Sequence, residues 1–121
     1  MSHLVKIQTK LHDPVAISTA CKRLGLATPT QGTAQLYSGE ATGLLVQLKD
    51  WQYPVVIDPL IGTLHYDNYD GAWGEIGHLH KFLQAYAAEK ATLEARKKGY
   101  SVTEQALEDG SIRVRIVETA G

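Results

Sequence analysis

The segment from Leu79 to Val117 constrains the fold of this chain more than any other. Apolar residues recur there at helical spacing, cations gather at Arg96-Lys97-Lys98, and Gly99 follows as a helix terminator. A strand, the turn Asp109-Gly110 and a second strand from Ile112 to Val117 complete the segment. Since all of these local signals agree, they predict a long amphipathic helix followed by a β-hairpin.

The alternation of the last strand also predicts which of its faces is buried. Ile112, Val114 and Ile116 share one face, whereas Arg113 and Arg115 share the other. We expect the apolar face to pack against the long helix, because a one-residue shift would bury the arginines. The predicted buried stripe of that helix consists of Ile76, Leu79, Leu83, Tyr86 and Leu93.

The N-terminal part predicts a strand and a short helix. Apolar and polar residues alternate from Leu4 to Leu11, which is typical of a half-buried strand. Asp13-Pro14 then supplies an N-cap acceptor and a first-turn proline, and Gly25 ends the helix. Cys21 falls on the apolar side of this helix, so we expect a buried and unreactive thiol.

Four further strands are predicted between the two helices: Thr33 to Tyr37, Thr42 to Leu48, Tyr53 to Ile57 and Thr63 to Tyr69. The order of elements predicts a single α+β domain over residues 1–121. In it, two helices pack on one face of a mostly antiparallel sheet. A ferredoxin-like core with extra strands is the first topology that this order suggests.

Composition excludes several classes of protein. The 121 residues carry 12 basic and 13 acidic side chains, which gives a net charge of −1. This charge provides no overall electrostatic attraction for nucleic acid or for an anionic membrane. The apolar runs are too short to cross a bilayer, and the N-terminus does not resemble a secretory signal. A single cysteine cannot form an internal disulfide. We therefore expect a soluble protein of the cytoplasm or the plastid stroma.

The histidines and carboxylates give no strong indication of a metal or catalytic centre. His65 and Asp67 share a strand face, but His78 and His80 point apart if they lie on a helix. Asp58, Asp67, Asp70 and Glu75 have no spacing that is diagnostic of acid–base chemistry. No phosphate-binding loop, dinucleotide fingerprint, HExxH or CxxC motif is present. The sequence thus predicts no catalytic residues, no metal and no cofactor.

Two regions remain as candidate binding surfaces. The segment between Trp51 and His80 is rich in aromatic residues, which belong either to the core or to a ligand pocket lined by Tyr66, Asp67, Trp73 and His78. The second surface would include Arg113 and Arg115, with Trp51 as a further contact. Lys6 and Lys10 would extend it to a basic patch if the two terminal strands are neighbours.

Both ends of the chain resemble one known family. Met1-Ser2-His3, Ile7-x-Thr9 and an Asp13-led helix ending at Leu24-Gly25 resemble the start of the Ycf35 family, also described as the DUF1257 domain family. The run from Ala87 to Tyr100 and the segment Glu108-Asp-Gly-Ser-Ile-Arg113 are similar to its C-terminal part. The region from Gln31 to Gly74 is much less alike.

The resemblance implies a small protein of cyanobacteria, algal plastids or other bacteria, without an assigned activity. It supplies no catalytic residues. Some bacterial members are encoded near AAA ATPases, so it also implies such an ATPase as a partner to consider. Together with the residues, this favours a non-enzymatic accessory or protein-interaction domain that can form homo-oligomers. The alternative is a regulatory domain that binds a small molecule or metal between Trp51 and His80, and an enzyme ranks third.

Overall fold

The computed structural model describes residues 4–118. A tight turn at Tyr69–Gly71 precedes the second helix. The elements are β1 (Leu4–Gln8), α1 (Pro14–Arg23), β2 (Thr30–Leu36), β3 (Gly39–Val46), β4 (Val55–Asp58), β5 (Thr63–Asp67), α2 (Ile76–Lys97), β6 (Ser101–Ala106) and β7 (Ile112–Val117). The predicted elements are all present, and their ends differ from the predictions by a few residues.

Five strands form the main sheet in the order β1-β5-β4-β3-β2, and every pairing in it is antiparallel. The α+β class is therefore confirmed. The topology is not ferredoxin-like, because in that arrangement a single strand separates the two strands that each helix joins. Here α1 joins the two edge strands of the main sheet, and α2 leads to a strand of the other sheet. Here β2 to β5 form a meander, and β1 pairs with the last strand of that meander, β5.

One face of the main sheet carries the helices. Leu44, Ile57, Leu64 and Ile7 lie opposite one another on four successive strands, so their side chains share this face. They belong to the same apolar cluster as Ile17 of α1 and as Phe82 of α2. Burial of this cluster is the main reason that both helices pack on one side of the sheet. As predicted, Cys21 lies inside it.

The other face of the sheet is covered by its own outer hairpin. From Gly39 to Gly43, β3 pairs only with β2. A second apolar cluster consists of Ala34, Leu36 and Ala41 of this hairpin with Val56 of β4. A Cβ atom at Gly43 would lie 2.3 Å from the carbonyl oxygen of Ile57, so a side chain would prevent this close approach of the backbones. The strands β3 and β4 therefore approach each other closely at Gly43, and residues of the β2–β3 hairpin cover part of the second face.

The last two strands form a separate two-stranded sheet that packs against α2. The predicted register is present, since Arg113 and Arg115 are exposed, whereas Ile112 and Val114 are partly buried. Ile116 remains 47% exposed, however, so the apolar face is covered only in part. Because β1 pairs with β5, the basic patch that would join Lys6 and Lys10 to these arginines does not form.

Candidate interaction surfaces

The four residues considered for a ligand pocket do not converge. Tyr66 and Asp67 are neighbours on β5, so their side chains point to opposite faces of the sheet. Tyr66 lies on the helix side, where its ring meets Trp51 edge-on with 5.8 Å between ring centroids. Trp73 belongs to the loop before α2, and His78 lies in the first turns of that helix. The pocket as predicted from the sequence is therefore not formed by these side chains.

Asp67 is the most unusual polar residue of the structure. Its exposed fraction is 0%, and neither carboxylate oxygen has a hydrogen-bond partner. Leu4 lies directly opposite on β1, so the nearest cross-strand side chain offers no donor. Thr63, on the same face of the same strand, also buries its hydroxyl without a partner. Buried polar groups are nearly always paired, which makes this face of β5 costly for the fold.

Trp73 is surrounded by three tyrosines from different parts of the chain. Its ring centroid lies 5.0 Å from Tyr37, 5.5 Å from Tyr53 and 4.6 Å from Tyr69. Tyr37 sits at the tip of the β2–β3 hairpin, so these contacts join the folded-over hairpin to the loop before α2. Tyr37 and Tyr53 meet the indole edge-on, and edge-to-face packing contributes beyond area burial. These aromatic contacts therefore serve mainly to hold the hairpin against the loop before α2.

Trp51 is a core residue, which corrects the expectation that it belongs to an interaction surface. Only 4% of it is exposed, and its indole N–H donates to the backbone oxygen of Glu75 at 3.0 Å. Gly74 lies against the ring so closely that a Cβ atom there would approach within 2.4 Å. A ring enclosed in this way cannot contact a partner protein without local unfolding.

The two histidines of α2 remain separate. His78 lies 3.9 Å from the carboxylate of Glu75, while His80 is exposed on the next part of the helix. Across residues 4–118, no three His, Cys, Asp or Glu side chains come together as a metal site would require. Asp50, Glu75 and His78 line a depression of about 280 Å³. This volume is slightly below the roughly 300–1,000 Å³ of typical ligand pockets.

The β6–β7 hairpin presents a polar outer face. Arg113 and Arg115 lie there opposite Gln105 and Thr103, and both arginines are exposed. Neither guanidinium has an ion-pair or hydrogen-bond partner within the described part of the chain. Side chains two positions apart on a strand are separated by about 7 Å, so the two charges form a pair with fixed spacing.

The inner face of the hairpin is tied to the helices by an ion-pair network. Arg23, at the end of α1, donates to Glu104 of β6 and to Glu89 of α2, the latter at 3.3 Å. The pKa of Arg23 is raised, and the hydrogen bond with Glu104 is the largest cause. Desolvation by burial opposes this shift, and the negative charge of Glu104 adds to it. The network holds the hairpin in one orientation, with its arginine face outward.

A second network joins the two helices. Asp13 caps α1 by accepting from the backbone N–H groups of Val15 and Ala16, and it also accepts from Lys90 of α2 at 2.9 Å. The bond from Lys90 is the largest cause of the lowered pKa of the Asp13 carboxyl. Lys90 in turn pairs with Glu94 at 2.9 Å. The cap of one helix is thus fixed to the side of the other.

An apolar groove runs beside this network, between α2 and the loop that leads from β1 to α1. Its volume is about 760 Å³. The loop contributes Thr9 to His12, and α2 contributes Leu83, Tyr86, Ala87, Lys90, Ala91 and Glu94. The sequence pattern does not predict this surface, because Leu83 and Tyr86 belong to the stripe of α2 that is predicted to face the core. The signal was the presence of Ala87 and Ala91 one turn apart, on a side of the helix that is exposed or half-buried.

Cys21 offers no chemistry to either surface. The thiol is enclosed by the main core, and this burial raises its pKa to about 11. A thiol with such a pKa is almost entirely protonated at neutral pH and is therefore a poor nucleophile.

Comparisons with known proteins do not add an identity. No family model, no curated protein and no solved structure gave a match to this chain. The resemblance to the Ycf35 family accordingly remains an expectation from the residues. Within residues 4–118, neither helix combines the length and the apolar character that a membrane span requires.

Proposed function

We propose that this protein is a non-enzymatic interaction domain whose β6–β7 hairpin binds an acidic, extended segment of a partner protein. The observation that carries the proposal is the pair of exposed guanidinium groups on Arg113 and Arg115, which have no partner among the described residues. Guanidinium groups bind carboxylates through two parallel hydrogen bonds, and they are favoured at protein interfaces.

The hairpin also supports a specific mode of binding. Within the described structure β7 pairs only with β6, so its other edge has no strand beside it. An extended peptide can add to such an edge through backbone hydrogen bonds. In an antiparallel addition, opposite residues share a face, so acidic residues at alternate positions would meet Arg113 and Arg115. The polar Thr103 and Gln105 complete the outer face beside them.

A defined peptide tests this proposal. We expect a labelled peptide with glutamate at alternate positions to bind the protein in a fluorescence anisotropy titration at low salt. The same peptide with glutamine should not bind, and added salt should weaken the complex. Replacing both arginines (Arg113→Ala with Arg115→Ala) should reduce the affinity by about tenfold or more, since each charge-assisted hydrogen bond contributes roughly 1.5–3 kcal/mol.

A matched control removes the same charge elsewhere. Lys6→Ala with Lys49→Ala takes two exposed cations from the main sheet and its loop, and this variant should bind as the parent does. Equal loss in both double variants would mean that only net charge matters, and the proposal would be wrong. If the resemblance to the Ycf35 family holds, an AAA ATPase is the first protein partner to test with this pair of variants.

A further inference from the structure

One side of the second helix is only partly covered by the rest of the chain, although Leu83 on that side also packs against the core cluster. Its buried residues occupy the side that faces the sheet, α1 and the hairpin. On the opposite side, residues recur at intervals of three or four, so they form one continuous stripe. The stripe consists of Ile76, His80, Leu83, Ala87, Ala91 and Glu94. Ile76 is 39% exposed, and the side chains of His80 and Ala87 are exposed as well.

Four residues of this stripe line the groove of about 760 Å³, namely Leu83, Ala87, Ala91 and Glu94, and Ile76 and His80 continue the stripe beyond it. Ala87 and Ala91 lie one turn apart in it, and their small side chains would let a neighbouring backbone come close. The spacing of the stripe, with steps of four and three, is the pattern by which one helix packs along another. The groove is therefore shaped for a helix.

We propose that a second copy of this chain fills the groove, with the two α2 helices antiparallel about a two-fold axis at Ala87. In such a pair, residues equally distant from Ala87 on its two sides face each other. Leu83 then meets the partner's Ala91, which places a large side chain against a small one. His80 meets the partner's Glu94, whose carboxylate can accept a hydrogen bond from an imidazole N–H.

Charge complementarity selects this arrangement over the parallel one. A parallel two-fold pair would place each residue against its own copy, and Glu94 would face the partner's Glu94. Like charges that are forced together are unfavourable, so the parallel pair is disfavoured. In the antiparallel pair, Glu94 retains Lys90 and Lys97 within its own chain and gains His80 from the other.

The oligomeric state tests the proposal directly. We expect sedimentation velocity over a range of concentrations to show a reversible monomer–dimer equilibrium. Ala87→Arg should shift this equilibrium to the monomer, because the new side chain would occupy the two-fold axis. Arginine is a good helix former and Ala87 is exposed, so the variant should fold, and circular dichroism can verify this. Ala27→Arg makes the same change at an exposed loop position and should leave the dimer unchanged.

A charge exchange tests the register. His80→Glu would place a carboxylate against the partner's Glu94 and should weaken the dimer several-fold. Adding Glu94→Lys should restore it, because each new glutamate would then face a lysine. The two positions are about 21 Å apart along one helix, so the restoration cannot arise within one chain.

Other outcomes would overturn the proposal. These are a parent protein that stays monomeric at all concentrations, an Ala87→Arg variant that dimerises as the parent does, or a double variant that is not restored. Binding of a small apolar molecule or a foreign helix in the groove of a monomer would likewise assign the groove to another occupant. The hairpin proposal is independent of these results, since peptide binding is measured on a different surface.

Discussion

At the scale of single residues, Asp67 is the position at which this fold departs most from ordinary protein chemistry. A carboxyl group that lacks both solvent and hydrogen-bond partners is destabilising for the fold. The register of β5 against β1 and β4 buries it, because the same strand must direct Leu64 and Tyr66 into the helix-side core. The register that buries Leu64 and Tyr66 therefore also buries the unpartnered polar groups of Asp67 and Thr63.

This cost predicts a stabilising substitution. Asp67→Asn keeps the size of the side chain and replaces a group that can carry a charge by one that cannot, so it should raise the free energy of unfolding by about 1 kcal/mol or more. Denaturant unfolding measures the difference, and Glu40→Gln provides the same change at an exposed position, with little expected effect. A less stable Asp67→Asn protein would show that the carboxylate has a partner in solution.

At the scale of secondary-structure elements, the contact between α1 and α2 depends on one carboxylate. Asp13 satisfies the first N–H groups of α1 and pairs with Lys90 of α2, and its pKa is lowered as a result. A carboxyl whose pKa is lower in the folded protein stabilises the fold above its unfolded-state pKa, which is about 3.9. This contribution is lost as the pH falls through the lowered pKa of the folded state.

The sign of this linkage gives an acid-stability prediction. Asp13→Asn retains a side chain that can cap α1 but removes the charge that Lys90 binds. We expect the variant to be less stable than the parent at neutral pH, with the difference shrinking as the pH falls from about 5 towards 2. Thermal unfolding measured across this range tests the claim. A difference that did not depend on pH would indicate that the ion pair contributes nothing.

At the scale of the whole molecule, the β2–β3 hairpin covers part of the sheet face that carries no helix. Its residues cluster with Val56 on that face, and Tyr37 contacts Trp73. Gly43→Ala should reduce the free energy of unfolding by roughly 1–3 kcal/mol, because a Cβ atom would lie 2.3 Å from the backbone oxygen of Ile57.

A second glycine provides the comparison for Gly43. A Cβ atom at Gly77, in the first turn of α2, would meet no other atom within 4 Å. Gly77→Ala should therefore range from neutral to stabilising by about 1 kcal/mol, since alanine favours helices. Chemical denaturation of both variants measures the contrast. If the two alanine variants were equally stable, the sheet would not depend on close backbone approach at Gly43.

The sequence by itself determined the two helices, the strands and the α+β class, because caps, terminators and periodicity act between residues that are close along the chain. It also predicted that Arg113 and Arg115 would be exposed, since alternation allows only one register that keeps them out of the core. Only the tertiary structure decided that β1 pairs with β5, that β6 and β7 leave the main sheet, and that Trp51 and Asp67 are buried. Each of these depends on contacts between residues far apart in sequence, and no local preference encodes which of several apolar faces a strand or a ring will meet. The groove beside Ala87 also depends on contacts between distant residues, because its second wall comes from a loop that lies more than seventy positions earlier in the chain.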